Sequence, residues 1–106
     1  MTVNEMVERL PFAMQRQEND REIKGVFCCD MLSVAMARAP EDSAWVTVIG
    51  NANTIAVATL ADVACVILAE GYAFDDAAIK AAEGKIALFR SDKPSYETAA
   101  AIGAVL

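Results

Sequence analysis

The stretch GVFCCDMLSVAMARAPEDSAWVTVIGNANTIAVATLADVACVILAEG, residues 25–71, decides the fold. It opens with an apolar strand, GVFCC (25–29), that runs into Asp30, a residue placed to cap a helix. Met31, Leu32, Ala35, Met36 and Ala39 then recur at helical spacing and make one apolar face. Pro40 stops that helix, because proline has no amide hydrogen to donate. A second strand, AWVTVI (44–49), ends in the loop GNAN, where Asn51 or Asn53 can cap the helix TIAVATLA (54–61). A third strand, ACVILA (64–69), ends at Glu70 and Gly71. Strands separated by helices cannot form hairpins, so they pair in parallel through right-handed crossovers. Their uninterrupted apolar runs suit strands buried on both faces.

The pattern continues outward in both directions. Downstream, Asp75 caps a helix through Ala82, Gly84 closes it in a left-handed conformation, and KIALF (85–89) is a fourth strand ending at Arg90, Ser91 and Asp92. Pro94 lies in the first turn of a last helix that runs toward Leu106. Upstream, Thr2 and Glu5 have the spacing of a capping box, and Pro11 ends the helix they start near Leu10. An extended piece at residues 12–15 and a charged turn, QENDREIKG, follow. The expected fold is therefore α/β: a small three-layer domain, residues 1–106 as one unit, with a mostly parallel sheet of four to five strands flanked by helices.

Composition narrows the function classes. Nine basic residues face fifteen acidic ones, for a net charge of −6, which argues against a nucleic-acid partner that would need its phosphates neutralised. The uncharged run from Ser43 to Ala61 is broken by Gly50, Asn51, Asn53 and Thr54 into two short pieces, so no membrane span is expected. Three cysteines, two of them adjacent, do not form a disulfide framework. With no leader pattern at the start, the expected location is the cytoplasm. Cys28 and Cys29 alternate across a strand and cannot jointly hold one metal, and both, with Cys65, read as small buried core residues.

Enzymatic signatures are sparse. The chain contains no histidine, which removes Ser-His and Cys-His nucleophile pairs and histidine metal ligands. Gly84-Lys85 lacks the upstream glycine of a phosphate loop and precedes a strand. No catalytic residue, metal or cofactor is expected. In open parallel sheets ligands bind outside the carboxyl ends of strands, where helix N-termini present free amides. The candidate ligand-binding residues are therefore Asp30, Ser33, Asn51, Asn53, Arg90 and Ser91. Arg90 is the only cation among them, so an anionic ligand there would depend on helix N-termini. Each residue also has a plainer role as a helix cap.

The middle helix, Thr54–Ala61, has no polar face beyond its threonines. A helix that is apolar all round is usually covered all round, and a small domain covers one side of a crossover helix. A homodimer through this helix is expected, joined by the C-terminal helix with Ala99, Ile102, Val105 and Leu106.

Residues 20–39, DREIKGVFCCDMLSVAMARA, resemble the DRTGG domain family, in which an Asp-Arg pair, a glycine, a strand and a helix start follow in order. The stretch NTIAVATLADVACVILAEG is also similar to the family's middle region. Asp20, Arg21 and Gly25 fit the motif, while Glu22, Ile23 and Lys24 depart from the family's literal name; a histidine often found near Asn51 is absent. The resemblance implies a fold like the N-terminal domain of HPr kinase/phosphorylase. It also implies a regulatory or dimerising module, as in the larger phosphotransacetylases and CBS-containing pyrophosphatases. Asp20 and Arg21 precede the first core strand, and a pair there followed by Gly25 reads as a structural motif that pins a turn.

The sequence thus points to a non-catalytic regulatory or interaction module, homodimeric, that senses a small anionic metabolite or nucleotide at the strand ends. Two alternatives stand beside it: an accessory subunit or enzyme of phosphate or acyl-phosphate metabolism, and a scaffold that docks to a separately encoded enzyme.

Overall fold

The computed structural model describes residues 1–18 and 20–106. Thr2 starts the first helix, α1 (Val3–Arg9): its hydroxyl accepts from the Glu5 amide while the Glu5 carboxylate accepts from the Thr2 amide. This reciprocal cap satisfies two end donors, and it holds the Glu5 carboxyl below its ordinary range. Leu10, before Pro11, is already extended. Strand β1 (Ala13–Arg16) follows, then β2 (Gly25–Cys28), α2 (Leu32–Arg38), β3 (Ser43–Thr47), α3 (Ala52–Ala61) and β4 (Cys65–Leu68). The chain continues with α4 (Asp76–Ala82), β5 (Ala87–Arg90) and α5 (Ser95–Val105). Asn51 caps α3, Asp75 caps α4, and Gly84 takes φ +73° just past the end of α4.

The five strands form one sheet in the order β1-β5-β4-β3-β2. β2, β3, β4 and β5 run parallel, and β1 joins the outer edge of β5 antiparallel, with an irregularity between Met14 and Arg16. The expected parallel sheet is thus observed, with the N-terminal extended piece as its one reversed strand.

Each crossover from β2 to β5 steps in the same direction, so right-handed connections place all three intervening helices on one face. Alternation along the strands agrees. Trp45, Val66, Leu68 and Leu88 pack against Ala35 of α2, Ile55 and Ala58 of α3, and Ala78 of α4. Their neighbours Ala44, Val46, Cys65, Ile67 and Phe89 pack on the other face against Val3 and Met6 of α1 and Ile102 of α5. The result is a three-layer sandwich with two cores, and each fully buried Leu, Ile or Val contributes about 1.5–3 kcal/mol.

Three local expectations are corrected. Asp30 does not cap α2; Met31 occupies that position with no side-chain cap. The apolar face of α2 is only partly used: Ala35 is buried, but Met31 and Met36 are 61% and 58% exposed. Cys28 is exposed and Cys29 half-buried, so of the three thiols only Cys65 is a core residue. The Asp30 carboxylate is taken up instead by the Thr47 hydroxyl and the Val48 amide, and the other two differences share one physical reason. β2 is an edge strand, and α2 lies over the rim of the sheet with neighbours on one side only.

Candidate functional site

The carboxyl ends of the parallel strands are joined by hydrogen bonds into two groups. At the β2–β3 end, the Asp30 carboxylate accepts from the Thr47 hydroxyl at 2.9 Å and the Val48 amide at 3.0 Å, tying the two loops together. Ser33, in the first turn of α2, is exposed. In the next loop, the Asn51 side chain accepts from the Thr54 amide at 3.2 Å, and Asn53 is exposed in the first turn of α3. The Thr54 hydroxyl is buried with no hydrogen-bond partner among the described residues.

At the β4–β5 end, Arg90 donates to the Gly71 carbonyl at 3.1 Å and to Asp92 at 3.4 Å. Ser91 is buried; its hydroxyl accepts from Thr98 at 2.9 Å and from the Lys93 amide at 3.2 Å. β2 and β5 are three strand spacings apart, ~14 Å. Asp30 and Arg90 therefore belong to separate groups. Of the six candidate residues, Asp30, Asn51, Arg90 and Ser91 have internal partners, while Ser33 and Asn53 are presented to solvent.

Two residues outside the candidate set organise this end. The connection after β4 leads to α4 on one face, and the connection after β5 leads to α5 on the other. Such divergence opens a crevice in parallel sheets. Here the crevice is laced shut. Glu70 and Gly71, both left-handed at φ +62° and +76°, donate their amides to the carbonyls of Lys93 and Ser91 at 2.8 and 3.0 Å. The Glu70 carboxylate accepts from the Ser95 amide at 2.7 Å, so the chain's own anion sits at the N-terminus of α5. Glu70 carries no sequence signal of this role, since the contact spans 25 residues.

The opposite end of the sheet holds the Asp-Arg pair, whose members go to different partners. Asp20 accepts from the Asn4 amide at 2.9 Å, adding a second acceptor at the N-terminus of α1. Arg21 reaches across the amino ends of β3 and β4. It pairs with the Asp42 carboxylate, with Asp62 at 2.9 Å, and with the Asp62 carbonyl at 3.1 Å. Lys24 also reaches Asp42, at 3.3 Å. Asp42 and Asp62 both adopt positive φ, 62° and 57°, at the turns into those strands. Gly25 begins β2, and a methyl group there would meet nothing within 4 Å. The structure supplies no steric reason for a glycine at this position.

The Arg21 hydrogen bond, assisted by Lys24, holds the Asp42 carboxyl below its ordinary value of 3.8. A carboxylate depressed in this way stabilises the fold above its unfolded pKa, and that contribution is lost as pH falls through the lower folded value. Arg21→Ala is therefore expected to lower the Tm at pH 7 by roughly 5–10 °C, after allowance for solvent around the exposed Asp62. Thermal melts at pH 7, 5 and 3 check this: the gap to wild type should persist at pH 5 and shrink at pH 3. An equal gap at all three values would mean that Arg21 acts through packing alone.

Three cavities lie elsewhere. One of about 250 Å³ sits between α1 and the β1–β5 edge, one of about 180 Å³ adjoins Arg21 and Lys85, and one of about 210 Å³ runs between α3 and α4. None of the three is lined by Asp30, Ser33, Asn51, Asn53, Arg90 or Ser91. Among the described residues no three Cys, Asp or Glu side chains are grouped to hold a metal ion. Burial pushes the Cys65 thiol up to about 12, which leaves it protonated. Burial, with the nearby Asp30 charge, raises Cys28 as well. Among the described residues no helix is long and apolar enough to cross a membrane.

No curated protein matches the chain. A family model, the DRTGG domain, matches residues 12–105 of the 106. Domains of this kind are regulatory modules. The match takes in every strand and the Asp-Arg segment that clamps the amino ends of β3 and β4, and by that extent the chain belongs to the DRTGG domain family.

Proposed function

We propose that this domain is a non-catalytic regulatory module that works by association, as a homodimer formed through the outer surface of α3 and α2. The observation that carries the reading is Leu60, which is 75% exposed in the last turn of a helix with no charged residue. Ala56 and Thr59 are exposed on the same helix, and Met31, Val34 and Met36 are exposed at the neighbouring α2. Contiguous exposed apolar surface is the usual mark of an interaction site. Part of Thr54–Ala61 is not available to such an interface. Thr54, Ile55, Val57 and Ala58 are buried against the chain's own sheet and helices. In the C-terminal helix Ile102 is buried and Ala99 packs on the core, leaving Tyr96 near its start and Leu106 just past its end as the exposed large hydrophobic side chains.

Sedimentation equilibrium at high micromolar concentration tests this. Wild type should be a dimer. Leu60→Lys should be a monomer with an unchanged circular dichroism spectrum, its dimer Kd raised at least 100-fold because both protomers carry the charge. A wild-type monomer at that concentration would overturn the reading.

The sensing part of the proposal rests on the first turns of α3 and α2, where Asn53 and Ser33 are exposed and free to meet a small anion. Asp30 and Asn51 would shape that site rather than touch the ligand, while Arg90 and Ser91 belong to the separate group at the β4–β5 end. A thermal-shift screen with nucleotides and phosphorylated metabolites separates the alternatives. Stabilisation without turnover supports the sensor, turnover of a phosphate ester supports an enzyme, and a firm dimer that no ligand stabilises supports a scaffold. Three free thiols and no disulfide fit a reducing, cytoplasmic setting.

A further inference from the structure

The largest of the three cavities points to a second binding site, of opposite charge preference, on the other face of the sheet. Five strands present that face, but only α1 and α5 cover it. α5 packs over β2 and β3, so the β5–β1 side is left to α1 alone. The uncovered strip is a groove of about 250 Å³. Its floor is Phe89 of β5 and Met14 of β1, and its wall is Val3 and Val7 of α1. Glu8 and Glu18 stand at the groove, and no basic side chain lines it.

Among the described residues one of the two carboxylates, Glu8, is left without a local counter-ion, since Arg9 pairs along the helix with Glu5. Glu18 receives Arg16 at 3.2 Å and the Gly84 amide at 2.6 Å, which fixes its carboxylate beside the groove. The whole chain carries a net charge of −6, which adds a favourable field for a cation. A bare metal ion does not suit the place, because a floor of Phe and Met offers no oxygen ligands.

We infer that this groove binds a small organic ammonium compound, with its apolar body on Phe89 and Met14 and its charged nitrogen at Glu8. A space of this size takes about one aromatic ring or a short alkyl chain. Binding is expected to be weak, with Kd about 1 mM for a ligand that small. The inference is independent of self-association, since α1 and β1 lie across the sheet from α3.

Carbon-detected methyl NMR of the intact chain tests it, with phenethylammonium chloride as the probe and phenylpropionate as a control of similar size and opposite charge. Phenethylammonium should shift the Val3, Val7 and Met14 methyl signals saturably, and phenylpropionate should bind at least tenfold more weakly. Glu8→Gln should weaken the ammonium probe about three- to tenfold, and Val7→Trp should abolish its binding by filling the groove. If Val7→Trp does not fold, Met14→Trp on the exposed edge strand serves the same purpose. The same Kd in Leu60→Lys is expected. Equal binding of both probes, no saturable shift, or full binding to the filled variant would each overturn the inference.

Discussion

Replacing Trp45 with alanine is expected to cost about 3–5 kcal/mol, the range for removing a large buried aromatic side chain. Against a total stability of about 5–15 kcal/mol, that change leaves the domain marginal at 37 °C. The indole is fully buried at the centre of β3. It packs on Phe27 of the edge strand, with ring centroids 6.4 Å apart, and its Nε1–H donates to the Cys29 carbonyl at 3.0 Å. One side chain thus anchors both the strand β2 and the turn that delivers Asp30 to Thr47. Trp45→Phe separates the two contributions. It keeps much of the apolar contact but loses the donor and part of the ring volume, so it should cost about 1–2 kcal/mol. Urea unfolding followed by far-ultraviolet circular dichroism measures both. A Trp45→Ala protein within 1 kcal/mol of wild type, in the sense of about that precision, would contradict the packing described.

The periodic signals in the sequence were sufficient for the sheet and its helices because they are local. Pro11, Pro40, Asn51, Asp75 and Gly84 each act on the residues beside them, and each marks an element end in the structure. What a residue meets across the sheet is a different matter. Cys28 and Cys65 look alike in sequence, both within apolar runs. One lies on an edge strand and is exposed, and the other lies on an interior strand and is buried. Strand order is set by packing far along the chain, so the edge position of β2 was not legible. The same limit applies to Arg21. Its motif was recognisable, but its partner Asp62 is 41 residues away, and a turn-pinning role did not anticipate a clamp across two strand starts.

The candidate ligand residues illustrate a further difficulty. Parallel topology correctly located the strand carboxyl ends, and a crevice does begin between β4 and β5. Polar residues at those ends are nevertheless equally suited to holding loops together. Glu70 and Ser91 do so, through Ser95 and through Thr98 and Lys93. Binding capacity is therefore argued from side chains left without an internal role: Ser33 and Asn53 in the first turns of α2 and α3, Leu60 on the helical layer, and Glu8 beside the groove under α1. That distribution fits a regulatory domain that communicates through its surfaces, because Asp30, Asn51, Glu70, Arg90 and Ser91 at the sheet ends are committed to holding loops together.

Gly50→Val should have the second largest effect, roughly 2–3 kcal/mol, through overpacking rather than backbone strain. A Cβ at Gly50 would lie 2.6 Å from Leu68 Cδ1, 3.0 Å from the Ala73 carbonyl oxygen and 3.2 Å from Phe74 Cα. Leu68 is fully buried and has little room to rotate away. The segment at Ala73 and Phe74 is held as well: the Phe74 amide donates to the Gln15 side chain at 3.0 Å, and the Asp75 amide donates to the Gly50 carbonyl at 3.0 Å. Displacing that segment also disturbs Asp75, whose carboxylate caps α4 at 2.8 Å. Gly50→Ala meets the same three atoms with less bulk. Its reduced unfolded-state entropy returns about 0.4–1 kcal/mol, so its net cost should be roughly 1 kcal/mol. Urea titrations of both variants give the comparison. If Gly50→Ala proved neutral or stabilising, the loops after β3 and β4 would have to yield to a methyl group. The close approach of those loops would then not be what fixes the entry to α3, and the position of Asn53 at its first turn would need another cause.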